Sequence, residues 1–470
     1  MTTVYATSIG ENSKGTGRLW LQGEKLLRGQ FPPTTTYRRI FKNGALIMVA
    51  DQNGEYVVSG RKARGGVDRI EPIIDICNKE IEKHFPIGTK LRAVVRKGKI
   101  IVRRAVAAIK SSQRKNRLIH KLATGAALSA VSLYHGIGAM DRALHDGLTS
   151  QGINVRSAVV AELEPTYLDA SMRANAHLFD EDTVFFSGPI QDFELGKVTP
   201  CELLWAGIPC TGASTASRAR LKTASAEEHP DAGTMFFTTL EWIKKFDYPG
   251  IVVLENVKAY RSTASMTVIR SLLDAWGYQV SEMILSGVDH GSLENRDRLV
   301  IVATQKELSK YGFNPATILP LRKKEATIGE ILDPIGPDDD RWKAYDYIVD
   351  KAVRDKSAGK GFAMQTYTAE SESVSVLVRG YAKIQSTNPF LEHPTKPGLL
   401  RLFTPEEHER LKALPEGFVK ALALSNSRAH QGLGQSVIYP VFQSVGTAIG
   451  GFLQSIKEAE AQSPRLTLVA

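Results

Sequence analysis

The stretch AALSAVSLYHGIGAMDRALHDGL, residues 126–148, decides the fold of this chain. It begins with an apolar run, passes through His135-Gly136-Ile137-Gly138 and continues with apolar residues at helical spacing. This order predicts a buried strand, a tight turn and an amphipathic helix. Because glycines let the backbone approach a ligand and a helix start offers free N–H groups, the pattern favours a nucleotide-type binding turn.

More apolar runs follow, separated by helical stretches such as residues 233–245. They cover residues 157–168, 185–193, 202–210 and 250–257. The alternation predicts an α/β fold with a mostly parallel sheet, whose ligands and catalytic groups lie at the carboxyl ends of the strands. Glu162 ends the strand of the first run and would meet ribose hydroxyls there, although a solvated acid at a strand end fits the pattern equally well.

The composition, 43% hydrophobic and 23% charged, is that of an ordinary globular protein. The N-terminus lacks a signal-peptide pattern, and no apolar run reaches the roughly 18 residues that cross a bilayer, so we expect no membrane association and a cytoplasmic location. The cysteines are Cys77, Cys201 and Cys210. They form neither a disulfide framework nor a Cys/His cluster, which predicts a reducing compartment and no metal site.

Two of these cysteines flank the strand predicted at residues 203–206. Cys201 precedes the strand at its amino end, and we expect it to be structural. Cys210 follows at the carboxyl end, after Pro209, which stiffens the approach. A small buried hydrophobe is one interpretation of Cys210, and a thiolate nucleophile is the other. The next predicted strand favours the nucleophile, because it ends with Glu255 and brings a carboxylic acid near the thiol.

Arg296 and Arg298 open another apolar strand, predicted at residues 299–304. Their spacing of two predicts that both side chains point to one face of that strand. A pair of surface arginines is the alternative.

The net charge of +10 is unevenly distributed. Residues 1–121 contain 25 Lys and Arg against 9 Asp and Glu, whereas the rest of the chain has 35 against 41. A basic front and a mildly acidic body predict that a polyanion binds the front segment. A solvated, lysine-rich surface is the alternative.

The basic segment contains an internal repeat. FPPTTTYRRIFKNGALIM at residues 31–48 aligns without a gap with FPIGTKLRAVVRKGKIIV at residues 85–102. Each copy predicts a β-hairpin preceded by a short helix, at residues 24–28 and 78–84. Two such units are expected to pair into one domain.

The repeat resembles the AbrB-like or SymE-like β-hairpin modules that bind DNA in bacteria. This resemblance implies DNA contacts by Arg38 and Arg92 and a bacterial, phage or plasmid origin. A β domain with a purely structural role is the alternative. Residues 105–125 are basic and rich in Ser and Ala, and we interpret them as a linker that joins the two parts, with a helix as one form of it.

From residue 126 onward, the ordered motifs resemble those of the C5-cytosine DNA methyltransferases. The matching motifs, in chain order, are Tyr134-His135-Gly136-Ile137-Gly138, Glu162, Pro209-Cys210-Thr211, Glu255-Asn256-Val257, Glu294-Asn295-Arg296-Asp297-Arg298, and residues 401–418 and 432–450. The resemblance covers residues 126–305 and 399–455.

This resemblance implies S-adenosylmethionine as the methyl donor and double-stranded DNA as the substrate. The implied catalytic residues are Cys210, Glu255, Arg296 and Arg298. The implied cofactor-binding residues are Tyr134, Gly136, Gly138, Glu162, Leu163, Ile190, Pro209, Gln435 and Ser436.

In the implied chemistry, the Cys210 thiolate adds to C6 of cytosine while Glu255 protonates N3. The activated C5 then takes the methyl group, and loss of the C5 proton with elimination of the thiolate restores the ring. Arg298 would contact the cytosine O2, and Arg296 would order the cysteine loop and the phosphates. The base must leave the duplex to react. The loop that would close on the DNA backbone carries Arg218, Arg220 and Lys222.

Some positions depart from the family pattern. They are Tyr134 for Phe, Pro189 for Asp, Thr211 for Gln, Glu294 for Gln and Gln435 for Asn. These changes surround the cofactor and the cysteine but leave the nucleophile and the acid intact. They therefore bear on cofactor detail, including transfer from a modified methyl donor, more than on reaction class.

The predicted architecture is a Rossmann-like methyltransferase core with a small target-recognition domain and an N-terminal β-rich domain of duplicated hairpins. Its predicted parts are residues 1–104 (repeat domain), 105–125 (linker), 126–305 (catalytic core), 306–398 (target recognition), 399–460 (return to the core) and 461–470 (tail). We expect a monomer on DNA, with a cognate restriction endonuclease as a further partner. A tRNA cytosine methyltransferase and a catalytically lapsed DNA-binding regulator are the alternatives.

Overall fold

The computed structural model describes residues 2–62, 70–193, 198–209, 233–359 and 364–462. The chain divides into two compact units, Met1–Gln113 and Arg114–Ala470. Each unit is described by itself below.

The described residues of the first unit form one sheet, two short helices and the start of a longer helix that continues into the second unit. The strands of the first unit are β1 (Thr3–Glu11), β2 (Gly17–Gln22), β3 (Thr36–Lys42), β4 (Ala45–Ala50), β5 (Tyr56–Val57), β6 (Ser59–Lys62), β7 (Ile70–Cys77), β8 (Lys90–Arg96) and β9 (Lys99–Arg104), and its short helices are α1 (Glu24–Arg28) and α2 (Lys79–His84). The strand order is β5-β3-β4-β9-β8-β1-β2-β7-β6.

Both predicted hairpins are confirmed, as β3–β4 and β8–β9, and a short helix precedes each one. The turn of each hairpin contains a glycine with positive φ, Gly44 or Gly98, a conformation that favours glycine. Strands β4 and β9 pair antiparallel, with Ile47 opposite Ile101. These two residues occupy equivalent positions of the repeat, so the unit has a local twofold axis at this pair.

The segment predicted as a linker is the helix α3 (Val106–Thr124), and the boundary between the units falls inside it. Its second half belongs to the second unit. There, Arg117 Nε donates to Glu202 Oε1 at 2.6 Å and Lys121 Nζ donates to Glu202 Oε2 at 2.7 Å. Glu202 is buried, so these cations offset the cost of its charge.

The second unit contains the expected α/β sheet. Its elements are β10 (Leu128–Leu133), α4 (Ala139–Ser150), β11 (Val155–Glu162), α5 (Pro165–Ala174), β12 (Val184–Ser187), β13 (Leu203–Gly207), α6 (Met235–Lys245), β14 (Ile251–Val257), α7 (Ala264–Ala275), β15 (Tyr278–Ser286) and β16 (Asp297–Gln305). The order is β12-β11-β10-β13-β14-β16-β15. Strands β10 to β14 are parallel to one another, and β16 is antiparallel to both β14 and β15.

Buried apolar side chains cover both faces of this sheet, because successive residues of each strand point to opposite sides. Leu128, Ala130 and Trp205 belong to the cluster on one face, and Val131 and Leu204 to the cluster on the other. The strands therefore consist almost entirely of apolar residues, as expected for a parallel sheet covered on both sides.

After the sheet, the chain forms a small β region and returns to the core through helices. These elements are β17 (Lys343–Ala344), α8 (Asp346–Ser357), β18 (Gln365–Tyr367), β19 (Pro389–Glu392), β20 (Leu399–Arg401), α9 (Pro405–Leu411), α10 (Phe418–Leu422), α11 (Asn426–Gln435) and α12 (Tyr439–Gln462). A capping box fixes the start of α9: Thr404 Oγ1 accepts from the Glu407 N–H, and the Glu407 carboxylate accepts from the Thr404 N–H.

Helix α12 packs closely on α4, and glycines make this possible. A Cβ atom on Gly147 would lie 2.3 Å from Gln443 O, and one on Gly446 would lie 2.6 Å from Leu144 O. By length and composition, no single helix in the described ranges could cross a membrane, and one bent pair, α11 with α12, passes the same test.

Candidate active site

The turn between β10 and α4 brings the backbone to the carboxyl edge of the sheet. Tyr134, Gly136 and Gly138 all have positive φ, of 58°, 60° and 78°. A Cβ on Gly138 would lie 2.3 Å from Asn175 Nδ2, so glycine is required there. A Cβ on Gly136 would meet open space, which leaves this side of the turn accessible to a ligand. The Tyr134 hydroxyl donates to Met235 O at 3.0 Å and anchors the turn to α6.

A buried polar cluster that the sequence interpretation missed supports this turn. Asp141 Oδ2 accepts from Ser132 Oγ at 2.7 Å and lies 3.0 Å from His135 Nδ1, while Asp141 Oδ1 accepts from Trp205 Nε1 at 3.0 Å. Burial alone raises the pKa of Asp141, but His135, Ser132 and Trp205 together lower it below the ordinary value. The available signal was Ser132 and Asp141 at positions that the strand and helix patterns bury.

Glu162 lies at the end of β11, facing the glycine turn. Its Oε2 accepts from the Gly136 N–H at 2.6 Å, and its Oε1 accepts from the Glu164 N–H at 2.9 Å. Each carboxylate oxygen keeps a second lone pair for a hydroxyl donor. The next side chain, Leu163, is 61% exposed, although it is large and apolar. Ile190 is buried in the short turn that follows β12.

The C-terminal helices return to the same turn. A Cβ on Gly432 of α11 would lie 2.6 Å from Ile137 Cγ2, so the helix contacts the glycine loop directly. Arg428 Nη1 lies 3.2 Å from Glu164 Oε2. Gln435 ends α11 and is exposed, and the Ser436 hydroxyl that follows donates to Leu433 O at 2.8 Å.

Strands β13 and β14 lie side by side and end at the same edge, with Gly207 paired to Glu255. The Ile208 N–H donates to Glu255 O at 3.2 Å, and Asn256 Nδ2 donates to Ile208 O at 3.2 Å. Asn256 thereby fixes the segment that leads to Pro209. The predicted nucleophile Cys210, its neighbour Thr211 and the predicted loop residues Arg218, Arg220 and Lys222 lie outside the described residues.

Glu255 pairs with Arg298 across the antiparallel strands β14 and β16. Arg298 Nε lies 2.9 Å from Glu255 Oε1, and both side chains are largely buried. Burial raises the pKa of Glu255 above the ordinary value, although Arg298 and Arg296 act in the opposite direction. A carboxyl group with a raised pKa holds its proton longer and is suited to donate it.

Arg296 and Arg298 have different hydrogen-bond partners, although both lower the pKa of Glu255. Strand β16 begins at Asp297, and Arg296 lies just before it. Its Nη2 donates to Gly434 O at 3.0 Å and its Nη1 donates to Glu294 Oε1 at 3.3 Å. The two arginines therefore serve two places, the end of α11 and the Glu255 carboxyl.

Glu294 lies at the centre of a second buried polar cluster, also missed from the sequence. Lys412 Nζ lies 3.0 Å from Glu294 Oε2, and His408 Nε2 lies 3.7 Å from the same atom. Burial alone raises the pKa of Glu294, but Lys412, His408 and Arg296 together lower it well below the ordinary value. Burial lowers the pKa of Lys412 to about 7 and that of His408 to about 4. An acid in place of the family glutamine at 294 was the only signal for a cationic partner.

Comparison with known families matches residues 128–451 to the C-5 cytosine-specific DNA methylases. The chain belongs to this family. Like other members, it is an S-adenosylmethionine-dependent enzyme that transfers a methyl group to C5 of cytosine in DNA.

Individual methyltransferases agree with this assignment. The Type II methyltransferase M.NlaX of Neisseria lactamica is 28% identical over 58% of this chain and 83% of its own length. The Type II methyltransferase M1.ScrFI of Lactococcus lactis subsp. cremoris is 26% identical over 70% of this chain and 79% of its own.

Among solved structures, the methyltransferase EhMeth of Entamoeba histolytica has a TM-score of 0.53 at 16% identity and covers 72% of this chain and 99% of its own. The Dnmt2 methyltransferase of S. pombe has a TM-score of 0.50 at 17% identity and covers 70% of this chain and 98% of its own. These likenesses show the methyltransferase fold.

The residues around the glycine turn fit S-adenosylmethionine. When bound, this cofactor supplies an electrophilic methyl group on a sulfonium. The Glu162 oxygens have free lone pairs for two neighbouring ribose hydroxyls, and Gly136 leaves open space beside them. The exposed Leu163 offers an apolar surface to a purine ring. Pro189, where the family has Asp, is exposed and offers no side-chain hydrogen bond.

The other two cysteines differ sharply from each other. Cys201 is buried at the amino end of β13, and burial raises the pKa of its thiol well above the ordinary value. It therefore remains a thiol at neutral pH. Cys77 is exposed in the first unit, where its Sγ accepts from Asn12 Nδ2 at 2.9 Å.

In the first unit, Arg38 and Arg92 both lie exposed on the sheet. They stand at equivalent positions of the repeat, on β3 and β8. Arg38 Nε lies 2.9 Å from Asp51 Oδ2, which is half-buried. Strands β3, β4, β8 and β9 together contain several Arg and Lys residues and no Asp or Glu of their own, although Asp51 and Glu80 from neighbouring segments pair with Arg38 and Arg39.

Proposed function

We propose that Cys210 is the nucleophile of this methyltransferase and that Glu255 is its proton donor. The observation that carries this proposal is the raised pKa of Glu255 at the edge where β13 leads to Pro209 and Cys210. Gly207, the strand partner of Glu255, precedes Cys210 by only Ile208 and Pro209. A side chain so close along the chain can reach a base that is held against the carboxyl group.

In the proposed reaction, the Cys210 thiolate adds to the base and later leaves it, and Glu255 gives up a proton and later recovers it. The Cys210 thiolate forms a bond to C6 as Glu255 transfers its proton to N3, which makes C5 nucleophilic. The new bond from C5 to the methyl group would form as the methyl–sulfur bond of S-adenosylmethionine breaks, with S-adenosylhomocysteine as the leaving group. C5 then loses its proton to a base, and the electron pair of that C–H bond expels the thiolate. N3 returns its proton to Glu255. Arg298 holds Glu255 Oε1 and would contact the O2 of the ring, while Arg296 orders the neighbouring segment.

For the cofactor, we propose contacts with the turn and with the returning helix. The residues are Tyr134, Gly136, Gly138, Glu162, Leu163, Ile190, Pro209, Gln435 and Ser436. Support comes from the lone pairs of Glu162 and from the contact of Gly432 with Ile137, which brings Gln435 and Ser436 towards the same edge.

A trapping experiment tests the nucleophile. DNA that carries 5-fluorocytosine cannot lose its C5 substituent as a proton, so the thiol adduct should accumulate when S-adenosylmethionine is present. We expect a covalent protein–DNA complex with the parent and with the matched controls Cys201→Ala and Cys77→Ser, but none with Cys210→Ser. A complex formed by Cys210→Ser would reject the assignment. Faster methylation of tRNA than of DNA would favour an RNA substrate instead.

We also propose that the first unit binds DNA, through Arg38 and Arg92, and that Arg218, Arg220 and Lys222 contact the DNA backbone beside the flipped base. The basic hairpins support the first part. The double variant Arg38→Ala/Arg92→Ala should bind DNA more weakly, with a salt slope smaller by about two. The exposed Lys420→Ala in the second unit is the control. An unchanged slope would leave the first unit without a phosphate contact at these positions.

The remaining parts of the proposal concern assembly and setting. The similarity to Type II methyltransferases supports a role in restriction–modification, with a cognate endonuclease as a functional partner. We propose that the enzyme acts as a monomer on DNA in the bacterial cytoplasm. The assignment of residues 306–398 to target recognition also remains a proposal.

A further inference from the structure

The Glu294–Lys412 pair lies beside Arg296 and is removed from water. Both side chains are fully buried, and Arg296 beside them is nearly so. Two charges buried in this way cost free energy unless they serve each other and their neighbours. Arg296 donates both to Glu294 and to Gly434 O at the end of α11. The position of the pair therefore suggests a role in holding the end of α11.

Backbone hydrogen bonds fix the pair in place. The N–H groups of Leu293 and Glu294 both donate to Leu411 O at 3.1 Å, which ties the segment before β16 to the end of α9. Lys412 is the next residue after that carbonyl. Its ammonium therefore reaches Glu294 from a short, rigid connection rather than from a flexible loop.

We propose that Lys412 is a positioning residue for methyl transfer: by neutralising Glu294, it leaves Arg296 able to hold the end of α11 through Gly434 O. This inference rests on the proposed role of Arg296. Glu294 faces Lys412 and His408 from the α9 side and Arg296 from its own segment. If Lys412 is uncharged, Arg296 is the strongest remaining cation for the carboxylate.

A planar guanidinium satisfies a lone carboxylate best with two parallel bonds. Arg296 now makes one bond to Glu294, through Nη1, and uses Nη2 for Gly434 O. Without Lys412, we expect both Nη1 and Nη2 of Arg296 to donate to the Glu294 carboxylate. Gly434 O then loses its donor, and the adjoining residues Gln435 and Ser436 lose their fixed position.

A double-mutant cycle tests the inference in the full-length enzyme. The variants are Lys412→Met, Glu294→Gln and the double variant, assayed for kcat at saturating DNA and S-adenosylmethionine. The assay is run at pH 6.5, below the pKa of about 7 that burial gives Lys412, so that its amine carries a proton. Circular dichroism establishes a temperature at which each variant is folded.

We expect Lys412→Met to lose kcat by about 10- to 100-fold, because small displacements at a catalytic site have effects of this size. Glu294→Gln should stay within about threefold of the parent, because a neutral amide does not draw Arg296 Nη2 away from Gly434 O. The double variant should recover to within about threefold of the parent, since neither charge is left alone and the introduced amide oxygen can still accept from Arg296. If Lys412→Met does not fold, Lys412→Gln takes its place, because it also leaves the Glu294 carboxylate without a charged lysine partner.

The control is the buried pair of Arg401 and Glu407, which is joined by two hydrogen bonds of 2.7 Å. Glu407→Gln should lower the melting temperature without lowering kcat. Full kcat in a folded Lys412→Met variant, or no recovery in the double variant, overturns the inference. A parent-like kcat for Arg296→Gln would instead overturn the proposed role of Arg296 itself.

Discussion

Asp141 and Glu255 are both buried carboxyl groups at the same sheet, yet their pKa values move in opposite directions. Asp141 lies beneath the glycine turn among Ser132, His135 and Trp205, and its pKa is lowered. Glu255 lies near the end of β14 with Arg298 as its partner, and its pKa is raised. Both carboxyl groups are buried, so burial does not explain the difference between their pKa values. The number of hydrogen-bond donors held against each carboxyl group explains it.

The contrast separates a structural carboxylate from a chemical one. Several donors directed at Asp141 keep it charged and fix the turn above it. Glu255 has fewer donors for its burial, so its proton is held more strongly and can be delivered to a base. The following substitutions break or sharpen this contrast, beginning with the largest expected effect.

Glu255→Gln should lower the rate of methylation by about 1,000-fold, because an amide cannot donate a proton in the way a carboxylic acid does. Its stability should not fall at pH 8. A raised folded-state pKa means that the ionised carboxyl destabilises the fold above that pKa, and the substitution removes this cost. Single-turnover methylation and thermal unfolding measure the two effects. A rate within tenfold of the parent would remove Glu255 from the chemistry.

Asp141→Asn, unlike Glu255→Gln, should act mainly on stability. We expect it to lower the free energy of unfolding by about 3 kcal/mol. The lowered pKa of Asp141 gives stability that is fully present above the unfolded-state pKa and is lost as the pH falls through the folded value. Urea unfolding of parent and variant should therefore differ at pH 7 and converge in acid. A constant difference across that range would contradict an ionised Asp141.

Ser132→Ala removes one of the donors to Asp141 and leaves the others. We expect a loss of about 1 kcal/mol in unfolding free energy, typical of one buried hydrogen bond. The double variant with Asp141→Asn should lose less than the sum of the two single variants, because both touch the same bond. Additive losses would mean that Ser132 acts elsewhere.

Arg298→Gln should raise the pKa of Glu255 further, since Arg298 is the largest influence that lowers it. The methylation rate should then begin to fall at a higher pH than in the parent, because Glu255 keeps its proton for longer. Arg298→Lys retains the charge and serves as the control. The position of the falling limb is the measured quantity, whatever the size of the rate, and a shift to lower pH would contradict the assigned cause.

Local pattern was sufficient for much of the fold. Apolar runs and glycine turns predicted β10, β11, β13 and β14 and their order along the chain, because a strand buried on both faces must be apolar throughout. The hairpins of the first unit followed from a repeat with a glycine at each turn. Local pattern was not sufficient for the predicted linker. Its helix α3 belongs partly to the second unit, and this is shown only by the hydrogen bonds of Arg117 and Lys121 to Glu202.

The sequence by itself determined the alternation of strands and helices, the duplicated hairpins and the motifs that place the chain in its family. Each of these depends on neighbours within a few tens of residues. Only the tertiary structure decided how the charged groups are shared: that Arg296 and Arg298 bind different partners, that Lys412 meets Glu294, and that Asp141 and Glu255 differ in pKa. These outcomes depend on burial and on partners from distant segments, and spacing along the chain carries no information about either.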